Sequence, residues 1–143
     1  MIRGASTKKI WPGLYNGIGG HIEQGEDVLT AARREVFEEA GIAFSDLWLC
    51  GVITVDSGTP PGICIFVLRG DLNITADVDL GGKIQNEEGT LEWLAVDQIE
   101  KFPLVEDLNV LLPRVLNHNP KAPPFFAHYS YDQDDKLVIK FAS

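Results

Sequence analysis

The sequence predicts a mixed α/β domain, a sheet with helices packed on its faces. Three observations predict it: a helical apolar period over residues 26–40, β-branched apolar runs at 47–55 and 63–69, and an aromatic tail that reads as a hairpin. Val28, Leu29, Ala32, Val36 and Ala40 lie on one arc of the predicted helix, and Gly41 stands where its C-terminal stop belongs. Glu26 falls in its first turn, where a carboxylate favours the helix dipole. Residues 1–20, rich in Gly and holding Pro12, read mostly as loop. A loop over 56–62 separates the two apolar strands, and residues 91–96 read as a further short strand. Residues 104–116 carry helical periodicity, with Pro113 as a kink or break. Residues 120–124 form a rigid connector, and 126–131 with 137–141 make the hairpin around 132–135.

The chain has 143 residues, 45% hydrophobic and 23% charged, which fits one globular domain over 1–143. No apolar run reaches membrane-spanning length, and no basic segment leads into an apolar stretch at the start, so the expected location is the cytoplasm with no membrane partner. A net charge of −9 repels polymeric nucleic acid. A small phosphate ester stays open as a partner, provided cations bridge it to an acidic site. Cys50 and Cys64 each sit in an apolar run and read as two buried free thiols. The expected assembly is a monomer or homodimer.

The chemistry concentrates in residues 20–42, GHIEQGEDVLTAARREVFEEAGI. On a helix Glu35, Glu38 and Glu39 fall within about 100° of one another. Three like charges at i, i+3 and i+4 repel, and a bound divalent cation would reverse the sign. Carboxylate oxygens suit Mg²⁺ or Mn²⁺, and the absence of His and Cys on this face argues against zinc. Taken alone, three glutamates also describe a solvated acidic face.

The wider spacing separates those readings. Gly20, Glu26, Arg34-Glu35, Val36, Glu38-Glu39, Gly41 and Ile42 resemble a complete Nudix box, and chance would supply the seven fixed residues with a frequency on the order of 10⁻⁹ or less. The resemblance implies an α/β/α sandwich with a mixed sheet and a loop–helix–loop site. Only Met1-Ile2-Arg3 precedes the Gly-rich loop sequence, so the usual first strand can be lacking, with another segment or a subunit at the sheet edge. It further implies that Glu35, Glu38 and Glu39, with the carbonyl of Gly19, hold metal, and that Arg34 orients the carboxylates. A further glutamate outside the box, here Glu88 with Glu87 as alternative, would bind metal or act as base. The implied reaction is metal-assisted attack of water on a pyrophosphate bond.

Flanking residues bear on substrate. The segment Tyr15-Asn16-Gly17-Ile18-Gly19-Gly20 resembles the loop of oxidised-purine nucleoside triphosphatases, in which an Asn reads the purine. Glu106-Asp107 stands where those enzymes carry adjacent acids that read the base edge, although they have Asp-Asp and a preceding tryptophan that this chain lacks. The implied substrate-binding set is Asn16, Gly17, Glu106 and Asp107, on an oxidised purine triphosphate such as 8-oxo-dGTP. Asn16 could instead merely brace the glycine loop, and Glu106-Asp107 could be an acidic helix start. Pro60-Pro61 keeps ADP-ribose open as an alternative substrate, and a non-catalytic nucleotide-binding module is the remaining alternative, disfavoured because every box glutamate is present.

Overall fold

The computed structural model describes residues 1–6, 11–72, 84–85 and 89–142. The element order is β1 (Ile2–Gly4), β2 (Tyr15–Asn16), α1 (Val28–Ala40), β3 (Leu47–Val55), β4 (Ile63–Gly70), β5 (Ile84–Gln85), β6 (Gly89–Leu91), a 3₁₀ helix (Val96–Lys101), α2 (Leu108–Leu116), β7 (Phe125–Tyr131) and β8 (Leu137–Phe141). Contacts group the chain into two units, Met1–Ser45 with Asp71–Asn109, and Asp46–Gly70 with Val110–Ser143.

The first unit contains an antiparallel sheet in the order β2-β1-β6-β5. The sequence reads mostly as loop over residues 1–20, where the usual first strand can be lacking; the strand is present as Ile2–Gly4. Ile2 pairs with Asn16 on one side and Leu91 on the other, so three residues form an interior strand. A strand so short carries no alternation to detect; its partners, far along the chain, make it a strand. The strand expected at 91–96 ends at Leu91, and Val96 instead opens the 3₁₀ helix. Gly89 permits the close approach of β6 to β1, since a Cβ there would overlap the Arg3 carbonyl. The core of this unit joins Ile2, Ala40 and Leu91, with Ile18, Val36 and Ile42 packed against them.

Helix α1 starts later than the sequence suggested. Asp27 is its N-cap, accepting from the N–H groups of Leu29 and Thr30 at 2.8 and 3.0 Å, so Glu26 lies just outside the helix. Gly41 closes it in the left-handed conformation at φ 66°, donating to the Phe37 carbonyl. The buried face is shifted from the expected arc: Ala31 and Ala40 are buried and Val36 is half-buried, whereas Leu29 is exposed.

The second unit contains a mixed sheet in the order β4-β3-β7-β8, with β3 and β7 parallel and the other pairs antiparallel. Ile53, Ala127 and Tyr129 are buried, and an irregularity between Leu49 and Gly51 accompanies a fully buried Cys50. Cys64 corrects the expectation of two buried thiols. It lies on the edge strand β4, opposite the exposed Thr54, and is itself exposed. The tail hairpin forms as expected, with the Asp132 carboxylate accepting from the N–H groups of Asp134 and Lys136 inside its turn. Helix α2 begins at Leu108, four residues after the predicted start, and carries Pro113 within it. Residues 103–105 are drawn instead into pairing with Tyr15. Among the described residues no helix is long and apolar enough to cross a membrane.

Candidate active site

Arg34 is the hub of the acidic helix. Its Nε and Nη2 donate to the two oxygens of Glu26 at 2.8 and 3.0 Å, a bidentate pair. Nη1 donates to Glu35 Oε1 at 3.0 Å and to Glu38 Oε2 at 3.1 Å, and Nη2 also reaches the His21 carbonyl at 3.1 Å. The like-charge repulsion expected on the helix is therefore relieved by one guanidinium. Its hydrogen bonds to Glu26 and Glu35 hold its pKa above the ordinary arginine value.

Glu26 acts through Arg34 and through the Glu23 N–H, which donates to it at 3.1 Å. The hydrogen bond from Arg34, followed by that from Glu23, holds the Glu26 carboxyl below its ordinary value. The Thr30 hydroxyl and N–H, with the Leu29 N–H, do the same for Asp27. Groups depressed in the folded chain stabilise it fully above their unfolded values and lose that contribution as pH falls through the folded ones. Melting temperature should therefore begin to drop as pH falls below about 4.3, the ordinary glutamate value. Glu26→Gln should flatten that acid slope, and an unchanged slope in the variant would refute the assignment.

Glu35 points back to the glycine loop. A Cβ built on Gly20 would overlap the Glu35 carboxylate, so a side chain there would push the flexible end of Glu35 aside. Gly20→Ala should displace the flexible end of Glu35 at little cost in melting temperature and reduce kcat by roughly tenfold to a hundredfold, the scale for misplaced catalytic groups. Unaltered turnover would show that the position of Glu35 does not matter. Glu38 is exposed, and Glu39 is half-buried with its Oε2 atom buried.

The donor set suits a hard divalent cation: carboxylates at three positions of one helix, with no thiolate or imidazole on that face. Among the described residues no three Asp, Glu, His or Cys side chains are already gathered at metal-holding spacing; Arg34 Nη1 stands between Glu35 and Glu38. Glu88, and Glu87 as its alternative, lie outside the described residues. The exposed Gly19 and Gly17 belong to the loop between β2 and α1.

The flanking residues come together through the main chain. Tyr15 N–H donates to the Pro103 carbonyl at 2.8 Å, and Val105 N–H donates to the Tyr15 carbonyl at 3.0 Å, a parallel bridge. Asn16 thus follows one side of this bridge and Glu106-Asp107 follow the other. Asn16 is half-buried, and its Oδ1 accepts from the Gly17 N–H at 2.8 Å. Asp107 is half-buried and Glu106 exposed. Two residues escaped the sequence reading. The Tyr15 hydroxyl donates to Glu92 Oε2 at 3.0 Å, 77 positions apart, a pairing that no local pattern announces.

One arginine thus joins three acids of this loop and helix, Glu26, Glu35 and Glu38. The sequence model of the NUDIX domain matches residues 1–115, and the chain belongs to that family, as a Nudix pyrophosphohydrolase. It is 25% identical to the oxidized purine nucleoside triphosphate hydrolase of Mus musculus over 139 residues, covering 96% of this chain and 83% of the mouse protein. Identity to the protein of the same name from Danio rerio is 24%, with the same coverage. In fold the chain is similar to the crystal structure of the mMutator MutT protein from Bacillus halodurans, at a TM-score of 0.65 and 23% identity, covering 90% of this chain and 82% of the other. Nudix proteins generally use a divalent metal.

Proposed function

We propose that the chain hydrolyses an oxidised purine nucleoside triphosphate, such as 8-oxo-dGTP, to the monophosphate and pyrophosphate, with Mg²⁺ as cofactor and Mn²⁺ as a substitute. The observation that carries this reading is the likeness, across 96% of the chain, to two vertebrate enzymes named for that substrate class. The Tyr15–Leu104 bridge supports it, because it brings the segments of Asn16 and Asp107 alongside each other. A small nucleotide as substrate, rather than polymeric nucleic acid, agrees with the net charge of −9.

Glu35, Glu38 and Glu39, with the Gly19 carbonyl and Glu88, would hold the metal. A bound divalent cation polarises phosphoryl oxygens, activates water and neutralises the leaving group. Arg34, anchored on Glu26, keeps the carboxylates oriented. The water oxygen bonds to phosphorus, its proton passes to a carboxylate of the cluster, and the bridging P–O bond breaks to release pyrophosphate. Asn16, Gly17, Glu106 and Asp107 take the base and its sugar-phosphate. Asn16 enters this task with its two N–H donors and the second lone pair of Oδ1, the first being spent on Gly17.

A panel of nucleotides with Mg²⁺, read by released pyrophosphate, phosphate and monophosphate, tests the assignment. An oxidised purine triphosphate should be the best substrate. Asn16→Ala and Asp107→Ala should raise its KM and narrow the gap to other bases, since a base-reading group left unpaired costs about 1–3 kcal/mol. Were ADP-ribose the best substrate, or were both variants to slow every nucleotide by one factor, base reading would be wrong and the family assignment alone would stand.

A further inference from the structure

Tyr15 is 4% exposed and tied on every side. Its hydroxyl donates to Glu92 Oε2 at 3.0 Å. Its ring meets Phe102 edge-on, with centroids 5.5 Å apart, and the Arg3 guanidinium lies 5.8 Å from the ring centre. Its main chain pairs with Arg3 of β1 and makes both bonds of the bridge to Pro103 and Val105. The residue after Tyr15 is Asn16, and the residue after Val105 is Glu106. One side chain therefore stands at the root of both base-reading segments.

β2 has only two residues, too few to hold a position by its ladder alone. The phenol adds a side-chain tie to the main-chain bonds on both sides of Tyr15. A buried hydroxyl needs an acceptor, and the Glu92 carboxylate, directly after β6, gives it a charge-assisted one. Without that bond the ring is held only by packing, and the register of Asn16 against Asp107 loosens.

We propose that Tyr15, held by Glu92, is a positioning residue for base selection, setting the separation of Asn16 and Asp107 without touching substrate itself. The inference rests on the base-reading roles given to Asn16 and Asp107 above. Burial and then the Glu92 carboxylate raise the phenol pKa, which keeps the donor protonated across the working range.

The test compares kcat and KM for 8-oxo-dGTP and for dGTP in the full chain and five variants. Tyr15→Phe should raise KM for 8-oxo-dGTP about five- to tenfold, the scale of one net hydrogen bond. The KM for dGTP and both kcat values should stay within about twofold, because nothing in the phosphate site is touched. Glu92→Gln keeps an acceptor oxygen for the hydroxyl and should preserve the discrimination ratio, whereas Glu92→Ala should reproduce Tyr15→Phe. If Tyr15→Phe does not fold, the contrast between the two Glu92 variants decides the matter. An equal loss on both nucleotides, or an unchanged ratio, would overturn the proposal. Asn16→Ala and Asp107→Ala run alongside. If they shift the ratio and Tyr15→Phe and Glu92→Ala do not, the clamp alone is wrong. If they leave the ratio unmoved, base reading fails and the clamp falls with it.

Discussion

Glu39→Gln should lower kcat on the order of a hundredfold or more, the scale for losing a charged group that acts on the transition state. Glu39 sits one residue before the buried Ala40, so its backbone is fixed by the core of the first unit. Its Oε2 atom is buried, so that oxygen is withdrawn from bulk water. Glutamine keeps the volume and removes the charge, so the fold should survive while hold on a divalent cation fails. Glu35→Gln and Glu38→Gln should be similar or milder, because both are also held by Arg34, and a glutamine oxygen can still accept from its Nη1. Rate measurements at saturating Mg²⁺, with melting curves as the folding control, check this. Turnover close to wild type would remove Glu39 from the metal site.

Chelation should abolish activity altogether. Glu26, Glu35, Glu38 and Glu39 bring four carboxylates to this face, and the Arg34 guanidinium pairs with the first three, so acids outnumber it and the face stays negative. A polyphosphate approaching that face meets repulsion, and at 4 Å even in water each like-charge pair costs about 1 kcal/mol. A divalent cation changes the sign of the encounter. Pyrophosphate release should therefore vanish in EDTA and return on adding excess Mg²⁺ or Mn²⁺. Persistent hydrolysis in chelator would contradict metal dependence.

Much of the helix-borne site was legible because its signals are local. The i, i+3, i+4 acids, Gly41 at the helix stop and the apolar period all fall within one window, and α1 follows them to within two residues of the expected start. The long strands Leu47–Val55 and Ile63–Gly70 were legible for the same reason. What escaped depends on distant partners. Ile2–Gly4 becomes a strand only because Asn16 and Leu91 flank it, and residues 104 and 105 leave the predicted helix because that segment pairs with Tyr15. The Asp27 cap was a local signal misread: Glu26 was credited with the first turn, whereas its carboxylate is spent on Arg34. Arg34 itself was legible as a cation near the acids, but not as a five-bond hub, since His21 and Glu26 are brought to it by the loop.

The interior place of β1 governs the order in which the protein can be made. Ile2 needs Leu91 for its second neighbour, so the sheet beneath α1 stays open until residue 91 has emerged from the ribosome. α1 carries its own cap and stop, but a helix of 13 residues is marginal until its apolar face is packed. Closing the sheet then requires a contact of very long sequence separation, the kind that slows folding. Throughout that interval Val36 and Ala40 lack the partners they have in the finished core. The acid-bearing helix therefore stays uncovered until residue 91 is available, and a chain arrested short of it would leave Val36 and Ala40 without their core partners beside the acids.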